Sequence, residues 1–193
     1  MRQDNLLRLP NLLTYGRCFA VPAVVALMFW PDNHSARWWA LGIYTLAAIT
    51  DYLDGYLARA WDQQSALGRM LDPIADKLLV AAVLLMLVAY GTIESWSIWA
   101  AIVILCREIL VSGLREFLAG LKVSVPVSKV AKWKTTAQLV ALGFLVVGPA
   151  GEVVLPGTIW IGTILLWISA VLTMYTGWDY LRASIRYAIE EGD

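Results

Sequence analysis

Four aspartates fall within 26 residues, in the pattern Asp51-x2-Asp54-Gly55-x2-Ala58-Arg59-x8-Gly68-x3-Asp72-x3-Asp76. An ionised carboxylate is an acceptor-only ligand, and an all-oxygen set of this kind suits hard divalent ions, Mg²⁺ first, Mn²⁺ next, with Ca²⁺ also admissible. Like charges packed this closely do not all stay ionised without cations. Two divalent ions would balance the four carboxylates, and two-metal sites stabilise the attacking and leaving oxygens of phosphoryl chemistry.

The surroundings of these residues are apolar. The chain has 193 residues, is 60% hydrophobic and has a mean hydropathy of +0.65, with ten Trp and eight Tyr. Soluble domains are closer to half apolar, and Trp and Tyr collect at membrane interfaces. Six apolar stretches, at about 12–30, 38–60, 70–90, 95–118, 133–150 and 157–182, each approach the ~20 residues that a ~30 Å hydrocarbon core requires. The fold expected is therefore an all-α integral membrane protein of six transmembrane helices. It forms a single domain over 1–193, with the bundle at 12–182 and an N-terminal surface segment at 1–10. Turn residues mark the short links, at Pro31-Asp-Asn, Gly91-Thr, Gly151 and Pro156-Gly157, and a longer basic link covers 119–132. There is no internal repeat and no cleavable signal, so the first apolar run is expected to stay in the mature protein.

Charge sets the orientation. Of the fifteen basic residues, all but Arg37 and Arg107 fall at or near one side, while Asp32, Glu94 and Glu152 lie on the other. The positive-inside rule then puts both termini and the four aspartates at the cytoplasmic face of the cell (inner) membrane. Residues 1–8 read either as a short amphipathic segment on the surface or as a frayed terminus. A net charge of zero gives no reason to expect a nucleic-acid partner.

Helical spacing pairs the carboxylates. Positions 51, 54, 55 and 58 share one stripe near the end of the second helix, and Asp72 and Asp76 stand one turn apart at the start of the third. Pro73 is tolerated in a first turn, where its missing N–H has no partner to lose. Gly55 and Ala58 either let a ligand approach the helix backbone or serve close helix packing.

The eight residues of the pattern, at their fixed spacing, resemble the signature of the CDP-alcohol phosphotransferases. The resemblance implies six transmembrane helices, a homodimer, a two-metal site open to the cytoplasm, and transfer of a phosphatidyl or related group from a CDP-linked donor to an alcohol with release of CMP. It implies that Asp51, Asp54 and Asp72 are metal ligands, and that Asp76 is both a ligand and the general base for the acceptor hydroxyl. Gly55, Ala58, Arg59, Ser65 and Gly68 then belong with the nucleotide of the CDP-lipid, as do Asn11 and Thr14 of the first helix and, one turn on, Arg17. Two further stretches, Arg107-Glu108-Ile to Leu114-Arg115-Glu116, and Lys132-Trp-Lys134-Thr135-Thr136-Ala-Gln138, are similar to the bacterial branch that uses CDP-diacylglycerol as donor and glycerol 3-phosphate as acceptor.

Physical chemistry is consistent with that acceptor. Glycerol 3-phosphate is a small dianion, so its pocket needs cations beyond those used on the donor. Arg107 and Arg115, eight residues apart, share a helix face, and Lys132 and Lys134 sit at the cytoplasmic start of the fifth helix. A buried Arg107 is expensive without an anionic partner. Lys122 and Lys129 read instead as positive-inside charge, and Lys77 either neutralises a carboxylate or snorkels to the interface. Serine or inositol phosphate as acceptor, and an ion-coupled transporter, are the rival readings. The transporter is disfavoured because the aspartates cluster at one face and no inverted repeat is visible. Cys18 and Cys106 are expected to be buried thiols without a redox or metal role, His34 to lie in an outward loop, and Trp38, Trp39, Trp96 and Trp99 to anchor the interface.

Overall fold

The computed structural model describes residues 9–61, 66–120 and 129–190. All regular structure among them is helical: α1 (Leu9–Met28), α2 (His34–Trp61), α3 (Ala66–Ala89), α4 (Ser97–Gly120), α5 (Lys129–Glu152) and α6 (Thr158–Glu190). The six helices correspond one to one with the six expected apolar stretches, with ends shifted by a few residues and α6 running eight residues further. Residues 1–8, which make up most of the surface segment expected at 1–10, lie outside the described residues, as does Lys122.

Local chemistry explains the boundaries. The side chain of Asn33 accepts from the Ala36 amide at 3.1 Å, and its carbonyl accepts from the Arg37 amide. Asn33 is therefore an N-cap, and α2 begins at His34 rather than 38. His34 accordingly stands in the first helical turn, not in a loop, and is exposed as expected. At the start of α6 the Glu152 carboxylate accepts from the amides of Gly157 and Ile159, both at 2.7 Å, satisfying donors that a helix N-terminus leaves open. Near the end of α5, Pro149 cannot continue the regular bonding, and Gly148 takes φ 40° and ψ −117°. Arg37, which is buried, donates to the carbonyl of Val146 beside this kink at 3.2 Å.

Val24, Tyr44, Val83, Ile104, Leu142 and Leu166, one from each helix, meet in a common core and are almost wholly buried. Helix α1 packs on both α2 and α3, α4 packs on α6, and α5 packs on α6 and α2. The α5–α6 pair is antiparallel and close. A Cβ at Gly151 would meet Thr158 Cγ2 at 2.7 Å, and one at Gly162 would meet Leu145 Cγ at 2.8 Å. Small residues at such positions let helix backbones approach.

The outer surface is apolar. Ile102, Ile109 and Phe117 on α4 and Trp160, Ile164 and Trp178 on α6 are all exposed. Helix α4 and the Thr158–Arg182 part of α6 are long and apolar enough to cross a membrane. So extensive an exposed apolar surface is foreign to soluble monomers and fits a lipid surround. Trp38, Trp39, Trp96 and Trp99 are exposed, in keeping with an anchoring role. The cysteines depart from expectation: Cys106 is exposed and Cys18 only half-buried. On an apolar outer surface a thiol is one more small weakly polar side chain, so nothing forces it inward.

Candidate functional site

The signature residues lie at one end of the bundle. Asp51, Asp54, Gly55, Ala58 and Arg59 occupy the last turns of α2, and Gly68, Asp72 and Asp76 the first turns of α3. The side chains of all of these except Asp76 lie outside the described residues, as do Ser65 entirely and the side chains of Asn11 and Lys132. Helix α1, lying against both α2 and α3, places Thr14 and Arg17 one turn apart and buried. Arg17 is within electrostatic reach of Asp76. The first helix thus carries a hydroxyl and a guanidinium between the two carboxylate-bearing helices.

Asp76 is exposed on α3. Besides Arg17 and its neighbour Lys77, it is within electrostatic reach of Glu108 on α4 and Lys134 on α5. Four helices therefore supply charge around one carboxylate. Among the described residues no group of three or more acidic, His or Cys side chains could hold a metal, because Asp76 is the one signature aspartate whose side chain is described.

The basic residues assigned to the acceptor differ in their surroundings. The Arg107 guanidinium is committed to α6: Nε donates to the carbonyl of Thr173 and Nη2 to Oγ1 of Thr176, each at 2.9 Å. Its Nη1 lies 3.9 Å from the Glu108 carboxylate. Gly177 makes room, since a Cβ there would stand 3.2 Å from Arg107 Cγ. Arg115, on the same face of α4, donates to the hydroxyl of Tyr180 at 3.2 Å and lies over its ring, 5.4 Å from the centroid. Lys134 is 5% exposed and its ammonium, reaching from α5, donates to the Glu108 carboxylate of α4.

Sequence reasoning gave no part in the site to Gln138, Thr173, Thr176 or Tyr180 and read Glu108 only as a structural partner of Arg107; the structure brings all five into this polar interior. Gln138 is buried one turn from Lys134 on α5. Thr173, Thr176 and Tyr180 recur at helical spacing in an otherwise apolar helix, and that stripe was the available signal. Among the described residues, the two larger cavities lie between helices. A groove of about 700 Å³ between α2 and α5, running from Trp38 to Ile49 on α2, has no charged lining. A cleft of about 280 Å³ between α3 and α4 is lined by Lys77, Glu108, Ser112 and Glu116 together with apolar residues. The charged cleft, though smaller, is the one beside Asp76.

Comparison with known proteins agrees with the signature. The model of the CDP-alcohol phosphatidyltransferase family matches residues 7–175. A protein of Rickettsia felis named CDP-diacylglycerol–glycerol-3-phosphate 3-phosphatidyltransferase is 45% identical over 187 residues, covering 97% of this chain and 99% of its own length. Proteins of the same name from Cereibacter sphaeroides and Escherichia coli are 39% identical over 216 residues and 40% identical over 181 residues, covering 95% and 91% of this chain and 98% and 94% of their own lengths. With the signature at one end of an apolar six-helix bundle and a family match over most of its length, the chain belongs to the CDP-alcohol phosphatidyltransferase family.

Proposed function

We propose that this protein transfers a phosphatidyl group from CDP-diacylglycerol to glycerol 3-phosphate, giving phosphatidylglycerophosphate and CMP, as a step of phospholipid biosynthesis. The structural observation carrying the reading is the cation set around Asp76: Arg17 on α1 and Lys134 on α5, with Arg107 beside Glu108 on α4. A dianionic acceptor needs such charge next to the group that activates its hydroxyl, and serine does not. The names of the full-length relatives point the same way.

Asp51, Asp54, Asp72 and Asp76 would supply an all-oxygen donor set, whose chemistry suits Mg²⁺ or Mn²⁺. Two such ions, when bound, would neutralise the donor pyrophosphate and the charge developing on the departing CMP. The rest of the work falls to side chains. Arg17 and Thr14, buried on α1, are assigned to the donor phosphate oxygens, with Asn11, Gly55, Ala58, Arg59, Ser65 and Gly68 around the nucleotide. Lys134, and in our reading Lys132, Arg107 and Arg115, orient the acceptor phosphate. The 1-hydroxyl of the acceptor attacks the phosphorus that bears diacylglycerol. Its new P–O bond forms as the bond to the bridging oxygen of CMP breaks, and Asp76 takes the hydroxyl proton.

The apolar exterior supports a multi-pass protein of six spans with both termini and the site at the cytoplasmic face of the inner membrane. CDP-diacylglycerol would enter laterally from the surrounding lipids. A homodimer is part of the same reading.

An assay of CMP release by the purified enzyme, given CDP-diacylglycerol and each alcohol in turn, tests the proposal. Glycerol 3-phosphate should support release and lipid product. Product with serine or inositol phosphate and none with glycerol 3-phosphate would overturn the acceptor, and metal-independent ion flux without CMP release would favour a transporter. CMP exchange in the absence of acceptor would replace direct displacement with a covalent intermediate.

A further inference from the structure

Glu108 has no role in the chemistry above, yet it stands at its electrostatic centre. Its carboxylate accepts from Lys134, lies 3.9 Å from Nη1 of Arg107, and is within electrostatic reach of Asp76. A negative charge placed among the cations of an anion site weakens that site unless it does something else. Two features say what it does.

First, Lys134 is buried to 5% exposure. A lone ammonium taken out of water carries a penalty of several kcal/mol, about enough to prevent its burial without a counter-ion. Glu108 is that counter-ion and draws the flexible four-carbon stem to one place. Second, Arg107 is anchored independently of Lys134: its Nε and Nη2 donate to Thr173 and Thr176 of α6, while Nη1 stays on the side of Glu108. The chain of contacts runs from α6 through Arg107 and Glu108 to Lys134, and so joins three helices at the level of Asp76. Ordering a lysine side chain before the ligand arrives removes about 0.5–1.5 kcal/mol of cost from the binding step.

We propose that Glu108 is a positioning residue for the acceptor phosphate: it holds Lys134 against α4, facing Asp76, so that an incoming phosphate dianion meets a preset ammonium. Lys134 has three donors, so it keeps one on Glu108 and turns the others to phosphate oxygens. The inference rests on the reading of Lys134 as an acceptor-phosphate ligand.

The test is a double-mutant cycle on the purified full-length enzyme, with KM for glycerol 3-phosphate and for CDP-diacylglycerol measured for wild type, Glu108→Gln, Lys134→Met and the double variant. Glu108→Gln is expected to raise KM for glycerol 3-phosphate about tenfold, the scale of a misplaced binding group. KM for CDP-diacylglycerol should stay within about twofold, and the double variant should be no worse than Lys134→Met alone. Glu108→Asp keeps the charge with a shorter reach, and a rise of about threefold in the same KM is expected of it. Additive losses in the double variant, an unchanged acceptor KM in both Glu108 variants, or equal rises in both KM values with a lower thermal midpoint would each overturn the proposal. If Lys134→Met leaves the acceptor KM unchanged, the acceptor reading of Lys134 itself falls, and the positioning role with it. An unchanged KM in the Glu108 variants beside a raised one in Lys134→Met removes only the positioning role.

Discussion

The Nε of Arg107 donates to the backbone carbonyl of Thr173, 2.9 Å away on the neighbouring helix, while Nη2 of the same group donates to Thr176 Oγ1. One guanidinium thus spans α4 and α6 at the depth where Gly177 leaves space for its stem. A carbonyl inside a helix has a second lone pair after its own i+4 bond, and Arg107 uses it. The fork geometry matters, because the two acceptors stand 3.3 Å apart and the planar guanidinium meets them with two fixed donors, which a flexible ammonium does not present.

Arg107→Lys should therefore lose more than its formal conservatism suggests. At least one charge-assisted hydrogen bond disappears from a half-buried site, a loss of about 1–3 kcal/mol. The expected outcome is a lower thermal midpoint in detergent together with a raised KM for glycerol 3-phosphate, because Arg107 also lies beside Glu108. A variant as stable as wild type would show that the α4–α6 tie contributes nothing measurable.

Asp76→Asn should abolish transfer while leaving the donor bound. Asn has nearly the same shape but cannot take the hydroxyl proton, and general-base removal typically costs about 10²–10⁴ in rate. Binding of CDP-diacylglycerol, measured by displacement of a labelled nucleotide, should fall far less than kcat. Turnover near the wild-type rate would remove Asp76 from the role of base.

The helices and the signature were legible in the sequence because both depend on local spacing. Apolar stretches of membrane-spanning length recur six times, and Asp51, Asp54, Asp72 and Asp76 declare themselves by their register. The acceptor side was less legible. The sequence flagged Arg107 and Lys134 as cations but offered no sign that Arg107 would spend two of its donors on Thr173 and Thr176, sixty-six and sixty-nine residues away. Nor did it show that Glu108 would face α5 rather than serve its neighbour Arg107 alone. These are packing facts, set by which face of α6 meets α4. Two local details were missed for a similar reason: Asn33 reads as a turn residue but caps α2, which therefore starts at His34, and Gly148-Pro149 kinks α5 without ending it.

Removal of divalent metal should stop the reaction. Four carboxylates at the ends of α2 and α3 repel one another and the donor pyrophosphate alike, so without cations the site is hostile to its substrate. Treatment with a chelator is expected to reduce CMP release to background, and Mg²⁺ or Mn²⁺ to restore it, while circular dichroism shows the helices intact. Full activity after exhaustive chelation would separate the aspartates from any metal role.

Glu152→Ala should destabilise the protein without touching the chemistry. The carboxylate, at the end of the bundle opposite the aspartates, accepts from the amides of Gly157 and Ile159 at 2.7 Å. It thereby closes the α5–α6 turn and caps α6, the helix to which Arg107 and Arg115 are tied. Loss of a cap of this kind costs about 0.5–2 kcal/mol, and an ionised acceptor sits toward the upper end. The effect is expected as a lower thermal midpoint and faster inactivation on warming, with both KM values and kcat within about twofold of wild type at low temperature. Glu152→Gln retains one acceptor and should recover part of the loss. If instead Glu152→Ala weakened glycerol 3-phosphate binding at low temperature, α6 would be transmitting strain from its outer end to Arg107, and the separation of stability from chemistry argued for this residue would fail.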